Sequence, residues 1–181
     1  MGRPVNAIAS NAGRLARATG EAFELALDRY HRQLEAEGRA YIRRVGAPVS
    51  VLGKVSRDPR GRHIFRAAWD GFQGVDFTGH TSMGVHIAIE AKTHAGPGAW
   101  DCGIDPSGEA SENGAIQERQ WTELRRVRLC GGIALIMLRA WGREWAIPPG
   151  RLAEHVRQKG RRTVRPDEID AIGTRGLEWM R

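Results

Sequence analysis

Apolar residues recur at Phe23, Leu27, Tyr30 and Leu34, spacings of four, three and four that lie along one helical face. Thr19 can cap such a helix, Glu21 falls in its first turn, and Gly38 follows its end. The pattern predicts a helix over Thr19 to Glu37, packed on one side against a core. Residues 1–18, small and polar with scattered arginine, read as a flexible N-terminal arm. Residues 40–55 read as strand, turn, strand, punctuated by Gly46 and Pro48. A short strand is expected over Gly74 to Gly79. A stronger one follows over Gly84 to Thr93, where Val85, Ile87 and Ile89 alternate with His86, Ala88 and Glu90. Residues 95–114, rich in glycine and poor in large apolar side chains, read as a mobile loop. A helix is expected from Asn113 to about Arg128, ended by Gly131-Gly132. Ile133 to Trp141 is a nearly continuous apolar run, the mark of a buried strand, and Glu144 to Ile147 can pair with it. Pro148-Pro149 and Pro166 open short helices, so residues 151–181 read as a C-terminal helical segment behind a core of residues 19–150. This order predicts an α/β fold, a central mixed β-sheet flanked by helices. No internal repeat is visible.

Composition narrows the partner. A chain of 181 residues fits one domain. No run approaches the roughly 18 to 20 apolar residues of a membrane helix, and the first residues lack the apolar core of a secretory signal. Cys102 and Cys130 are far apart and outside any C-x-x-C, as in a cytoplasmic protein. Lys plus Arg total 28 against 21 Asp plus Glu, a net charge of +7. Such a domain attracts polyanions, and nucleic acid is the first partner to consider. Only three of the basic residues are lysines: Lys54, Lys92 and Lys159. No phosphate-loop or dinucleotide-binding glycine pattern occurs, so no nucleotide cofactor is expected.

The candidate chemistry centres on Asp76, Glu90 and Lys92. Residues two apart on a strand share a face, so Glu90 and Lys92 project together from an otherwise apolar strand. A hairpin between the two strands brings Asp76 beside Glu90. Two carboxylates there form a hard-oxygen site suited to Mg²⁺, and Lys92 can orient a water or take its proton. The competing reading is a surface ion pair of Glu90 with Lys92. A lysine in an arginine-dominated chain, on a strand expected to be central, favours chemistry. Gln120 falls on the apolar stripe of Ile116, Leu124 and Val127 and needs hydrogen-bond partners if buried. Glu24 adjoins the face of the first helix, and a solvated helix acid is an equal reading. The six histidines show no ligand spacing and are taken mostly as surface residues, with His94 alone near the site. Arg57, Arg60, Arg62 and Arg66 lie among Phe65, Trp69 and Phe72. That basic, aromatic segment suits DNA-backbone contacts, with Phe65 or Trp69 stacking on an unpaired base.

Several short pieces recur in order: Gly20-Glu21-Ala22-Phe23-Glu24, Tyr30, Ala47-Pro48-Val49, Val75-Asp76-Phe77-Thr78-Gly79, Ile89-Glu90-Ala91-Lys92-Thr93, Arg119-Gln120-Trp121-Thr122-Glu123-Leu124 and Gly131-Gly132-Ile133-Ala134. The series resembles the RecU family of Holliday junction resolvases, within the PD-(D/E)XK nucleases, over about residues 15–150. The resemblance implies a restriction-endonuclease-like core, a homodimer, and cleavage of DNA four-way junctions by paired symmetric nicks. It implies dependence on Mg²⁺, with Mn²⁺ as a substitute. Asp76 and Glu90 would be the metal ligands, Lys92 the catalytic lysine, Gln120 the glutamine of the helix motif, and Glu24 the acid of the first helix. Residues 55–74 would be a stalk that enters the junction. Gly74 stands where the family has a hydroxyl residue, Arg119 where it has histidine, and the 95–114 loop is longer. A nuclease of ordinary duplex, and a non-catalytic DNA-binding accessory protein, are the alternatives.

Overall fold

The computed structural model describes residues 6–46, 49–51, 56–61, 63–64, 67–69, 74–111, 114–177 and 179–180. Helix α1 spans Asn6–Ala36 and leads into strand β1 (Ala40–Arg44). Four short strands follow: β2 (Val49–Val51), β3 (Ser56–Arg57), β4 (His63–Ile64) and β5 (Ala67–Trp69). Next come β6 (Phe77–Thr81), β7 (His86–His94), β8 (Trp100–Asp101), α2 (Glu118–Leu129), β9 (Ile133–Ala140) and β10 (Arg143–Ile147). The chain ends with α3 (Pro149–Lys159), β11 (Thr163–Val164), α4 (Ile169–Ile172) and β12 (Thr174–Arg175).

One sheet of six strands, in the order β1-β6-β7-β9-β10-β12, organises the molecule. Its central pair, β7 and β9, is parallel, and its other neighbours are antiparallel. Parallel neighbours need a crossover, which the segment containing α2 supplies. The expected α/β class, with a mixed central sheet flanked by helices, is the observed one. On one face α1 lays Phe23, Leu27 and Leu34 onto Phe77, Ile87, Ile89 and Met137, all fully buried. On the other, Trp121, Leu124 and Val127 of α2, with Leu152 and Val156 of α3, cover Ala88, Ala134, Ile136 and Leu138. Each fully buried side chain of this size contributes about 1.5–3 kcal/mol.

Several boundaries differ from the sequence expectation. Most of the expected N-terminal arm is helical, because α1 begins at Asn6, not Thr19. Its extra turns rest on alanine and arginine propensity, which outweighs Gly13 and Gly20. The expected mobile loop is anchored. Trp100, Cys102 and Ile104 are at most 2% exposed, and β8 pairs with β11. Gly103 and Gly114 let two limbs of this segment touch, since a Cβ on Gly103 would lie 2.6 Å from the Gly114 Cα. Asn113 lies outside the described residues, and α2 begins at Glu118. The C-terminal segment is not purely helical. After α3 it returns a strand, β12, to the sheet edge, and Trp145 Nε1 donates to Asp170 at 2.8 Å. Two histidines taken as surface residues are buried. His31 is fully buried on the α1 stripe against Phe77 and Trp179, and burial lowers its pKa to about 4. His155 faces Glu168 at 3.5 Å. Among the described residues no helix is long and apolar enough to cross a membrane.

The C-terminal turn is held by Glu168. Arg161 Nη2 donates to both its oxygens, at 2.5 and 2.7 Å, and the Arg165 N–H donates at 2.9 Å. Burial pushes this carboxyl up, but those donors and His155 outweigh it and hold it at about 2. A depressed carboxyl stabilises the fold above its unfolded pKa, and that stabilisation is lost as pH falls through the folded value. Glu168→Gln should therefore lower the thermal midpoint at pH 7 by about 5 °C. The difference from the parent should close between pH 4.5 and about 2. A difference that persists unchanged to pH 2 in calorimetry would contradict this account.

Candidate active site

The site forms where β6 enters the sheet. Phe77 on β6 stands opposite Ile89 on β7, so Asp76, one residue before, comes beside Glu90. The Asp76 carboxylate is fixed there because its Oδ2 accepts the backbone N–H of Ala91 at 2.8 Å. Gly74, two residues earlier, has φ of 93°, in the left-handed region. A hydroxyl residue at this position would be strained, which accounts for the glycine.

Glu90 is 1% exposed at the middle of the sheet. Its Oε1 accepts from Lys92 Nζ at 2.6 Å and from Gln120 Nε2 at 2.5 Å. Gln120 Oε1 in turn accepts from Lys92 Nζ at 3.1 Å and from the Gln117 N–H at 2.9 Å. Gln117 and Gln120 thus form a capping box at the start of α2, and the same amide that caps the helix braces the carboxylate. The second oxygen, Glu90 Oε2, is buried with no hydrogen-bond partner. Burial pushes the Glu90 carboxyl up to about 8, Lys92 opposes the shift, and the nearby Asp76 carboxylate adds to it.

Glu24 reaches the site from the opposite face of the sheet. It lines a cavity of about 300 Å³ with Gly20, Phe23, Ala91, Lys92 and Thr93. Its Oε2 is ion-paired with Arg44 of β1. Burial raises the Glu24 carboxyl, Arg44 opposes this, and Asp76 raises it again. The five expected residues Asp76, Glu90, Lys92, Gln120 and Glu24 therefore gather around one end of β7.

The basic segment is separate from this cluster. β3 pairs with β4, and β2 with β5, as small ladders outside the six-stranded sheet. Arg57 and Arg60 are exposed on it, whereas Arg62 and Arg66 lie outside the described residues. Three contributors were not singled out from sequence: Arg44, Gln117 and the Ala91 N–H. Gln117-x-x-Gln120 carries the spacing of a capping box and was readable. The Glu24–Arg44 pair spans two elements and has no local signal.

The donor set fits a hard divalent cation. Two carboxyl groups converge, and one of their oxygens, Glu90 Oε2, is buried without a donor. Among the described residues no group of three or more His, Cys, Asp or Glu side chains forms a cage. A divalent cation held here would rest on the Asp76 and Glu90 carboxylates alone and complete its shell with water. Comparison with known protein families finds no matching model, and comparison with curated proteins finds no match. The functional reading rests on the site itself.

Asp76→Asn removes the repulsion on Glu90 while retaining an acceptor for the Ala91 N–H. Without metal this variant should melt above the parent at neutral pH. The parent midpoint should rise with added Mn²⁺ or Mg²⁺, reaching about 2.7 kcal/mol of stabilisation at a hundredfold excess over Kd. The variant should show no such rise. Equal metal responses in a thermal-shift titration would remove Asp76 from the ligand set.

Proposed function

We propose that the protein is a metal-dependent DNA endonuclease with a restriction-endonuclease-like core, acting as a homodimer on four-way junctions. The observation that carries this reading is the buried, partnerless Glu90 oxygen beside Asp76, on a strand whose next outward residue is Lys92. The order of short sequence pieces that resembles RecU resolvases supports the junction as substrate. The net charge of +7 suits a polyanion.

Asp76 and Glu90 would hold Mg²⁺ or Mn²⁺, which supplies Lewis-acid polarisation of the scissile phosphate and neutralises its developing charge. The residues of the chain do the rest. Lys92 has three N–H donors, and Glu90 and Gln120 take two of them. The third is left for the attacking water, in the cavity that Lys92 shares with Glu24. The water oxygen bonds to phosphorus and passes a proton to the Glu24 carboxylate as the bond from phosphorus to the 3′ oxygen breaks, and the leaving oxygen takes a proton from solvent. The ends are a 5′-phosphate and a 3′-hydroxyl. Gln120 keeps the Lys92 ammonium from collapsing onto Glu90 alone. Arg44 holds Glu24 at the cavity wall, where its carboxylate can accept a hydrogen bond from the same water. Exposed Arg57 and Arg60 offer contacts to DNA backbone away from the site. Both cysteines are unpaired, Cys102 buried and Cys130 exposed, in keeping with a reducing compartment.

The test is an end-labelled four-way junction beside a matched linear duplex, with and without Mg²⁺. The parent should place paired nicks in the junction alone. Asp76→Asn should abolish cleavage and keep binding, and Lys92→Ala should lower the single-turnover rate by about 100-fold or more. Cleavage of both substrates would identify a duplex nuclease. Tight binding with no cleavage by the parent would leave a DNA-binding accessory protein.

A further inference from the structure

The face of the sheet that carries Asp76 and Glu90 is only partly covered. Register places Tyr41, His80 and His86 in one row across β1, β6 and β7, and Arg43, Thr78 and Ala88 in the next. These rows lie on the α2 side, and α2 covers β7 and β9 but leaves β1 and β6 open. A hollow of about 640 Å³ lies over Tyr41, Arg43, Thr78 and His80. A second, of about 490 Å³, runs along α2 beside Arg126 and Cys130. Both are lined by Gly84 and His86, so the two hollows adjoin and together make up a groove.

Its chemistry is aromatic and cationic. Tyr41 is 46% exposed, and its ring lies 5.7 Å from that of His80 at an interplanar angle of 22°. The Arg43 guanidinium sits 4.1 Å from the centre of the Tyr41 ring. An exposed ring fixed by two neighbours is a preorganised stacking platform. The first hollow is lined by no carboxylate. Glu123 in the second is paired with Arg126 at 3.4 Å, and Glu35 of α1 pairs with Arg43 at 2.7 Å from the far side of the edge strand. Exposed pairs of this kind exchange readily for phosphate. Asp76 and His80 are four residues apart on one chain segment, about 14 Å in extended backbone.

We propose that this groove binds the DNA strand continuing from the scissile phosphate, with an unpaired base taking the place of the Arg43 guanidinium over the Tyr41 ring and the displaced guanidinium contacting the backbone. The direction of the strand rests on the nuclease reading above, but binding by the groove does not. Fluorescently labelled 20-nucleotide single-stranded DNA, a four-way junction and a linear duplex serve as probes, titrated in EDTA against the full chain. Tyr41→Ala should weaken single-strand and junction binding about 10-fold, leave duplex binding nearly unchanged, and keep the salt dependence of the parent. Tyr41→Phe should restore affinity. Arg43→Gln should reduce the slope of log K against log salt by about one. Binding by Tyr41→Ala and Arg43→Gln equal to the parent, with unchanged melting, overturns the groove even if the parent cleaves junctions. Loss of binding in these variants of a parent that never cleaves upholds the groove and sinks the nuclease reading.

Discussion

A carboxylate 1% exposed in the middle of a sheet must be compensated, and Glu90 draws its compensation from several elements. Lys92 comes from the same strand, Gln120 from the start of α2, and Asp76 presses in from the neighbouring strand. The position of α2 follows from this. Its capping box is closed by the same glutamine that braces Glu90, so helix entry and carboxylate geometry are one arrangement. The segment before α2 must then reach that point, and it does so pinned by Trp100, Cys102, Ile104 and Ile116 in the core. A fold built for stability alone would place an apolar residue at position 90, since a buried ion pair seldom exceeds a packed hydrocarbon in net stabilisation. Here one oxygen is left without a partner as well. The arrangement is costly to stability, and the proposed cation site would account for that cost.

Much of this was readable in the sequence, for physical reasons that differ by element. Glu90 and Lys92 stood out because a two-residue period puts both on one face of an apolar strand. Asp76 followed from antiparallel pairing, and the observed register brings it to Glu90. Gln120 followed from the α2 stripe. His31 was equally readable, four residues after Leu27 and three before Leu34. It is the buried member of that face, whereas Tyr30 lies at its flank. The first turns of α1 were hidden because propensity, not apolar periodicity, makes them helical. Trp100, Cys102 and Ile104 keep a strand-like spacing of two, but glycines and prolines around them mask it. β12 was invisible because two residues carry no pattern. Its place is set by the tether of Asp170 to Trp145 and Arg175.

The electrostatics set two demands against each other. The summed charge draws a polyanion toward the molecule. At the site itself the Asp76 and Glu24 carboxylates repel a phosphate, with Lys92 and Arg44 as the nearby cations. Arg44 is committed to Glu24, and Lys92 to Glu90. The field therefore steers the ligand to the surface but does not hold it at the centre. A cation between Asp76 and Glu90 would resolve the conflict, turning a repulsive pair into an anchor for phosphate oxygen.

The same geometry explains why position 92 is lysine in a chain where arginine supplies nearly all positive charge. An ammonium is compact, and its donors point tetrahedrally. Two meet Glu90 Oε1 at 2.6 Å and Gln120 Oε1 at 3.1 Å, acceptors that sit close together. A planar guanidinium would extend past them into the cavity of about 300 Å³, the space where the proposed chemistry places its water. Arginine suits the periphery, where planar, permanently charged donors grip phosphates. Lysine suits position 92, where a compact charge must fit between two close acceptors.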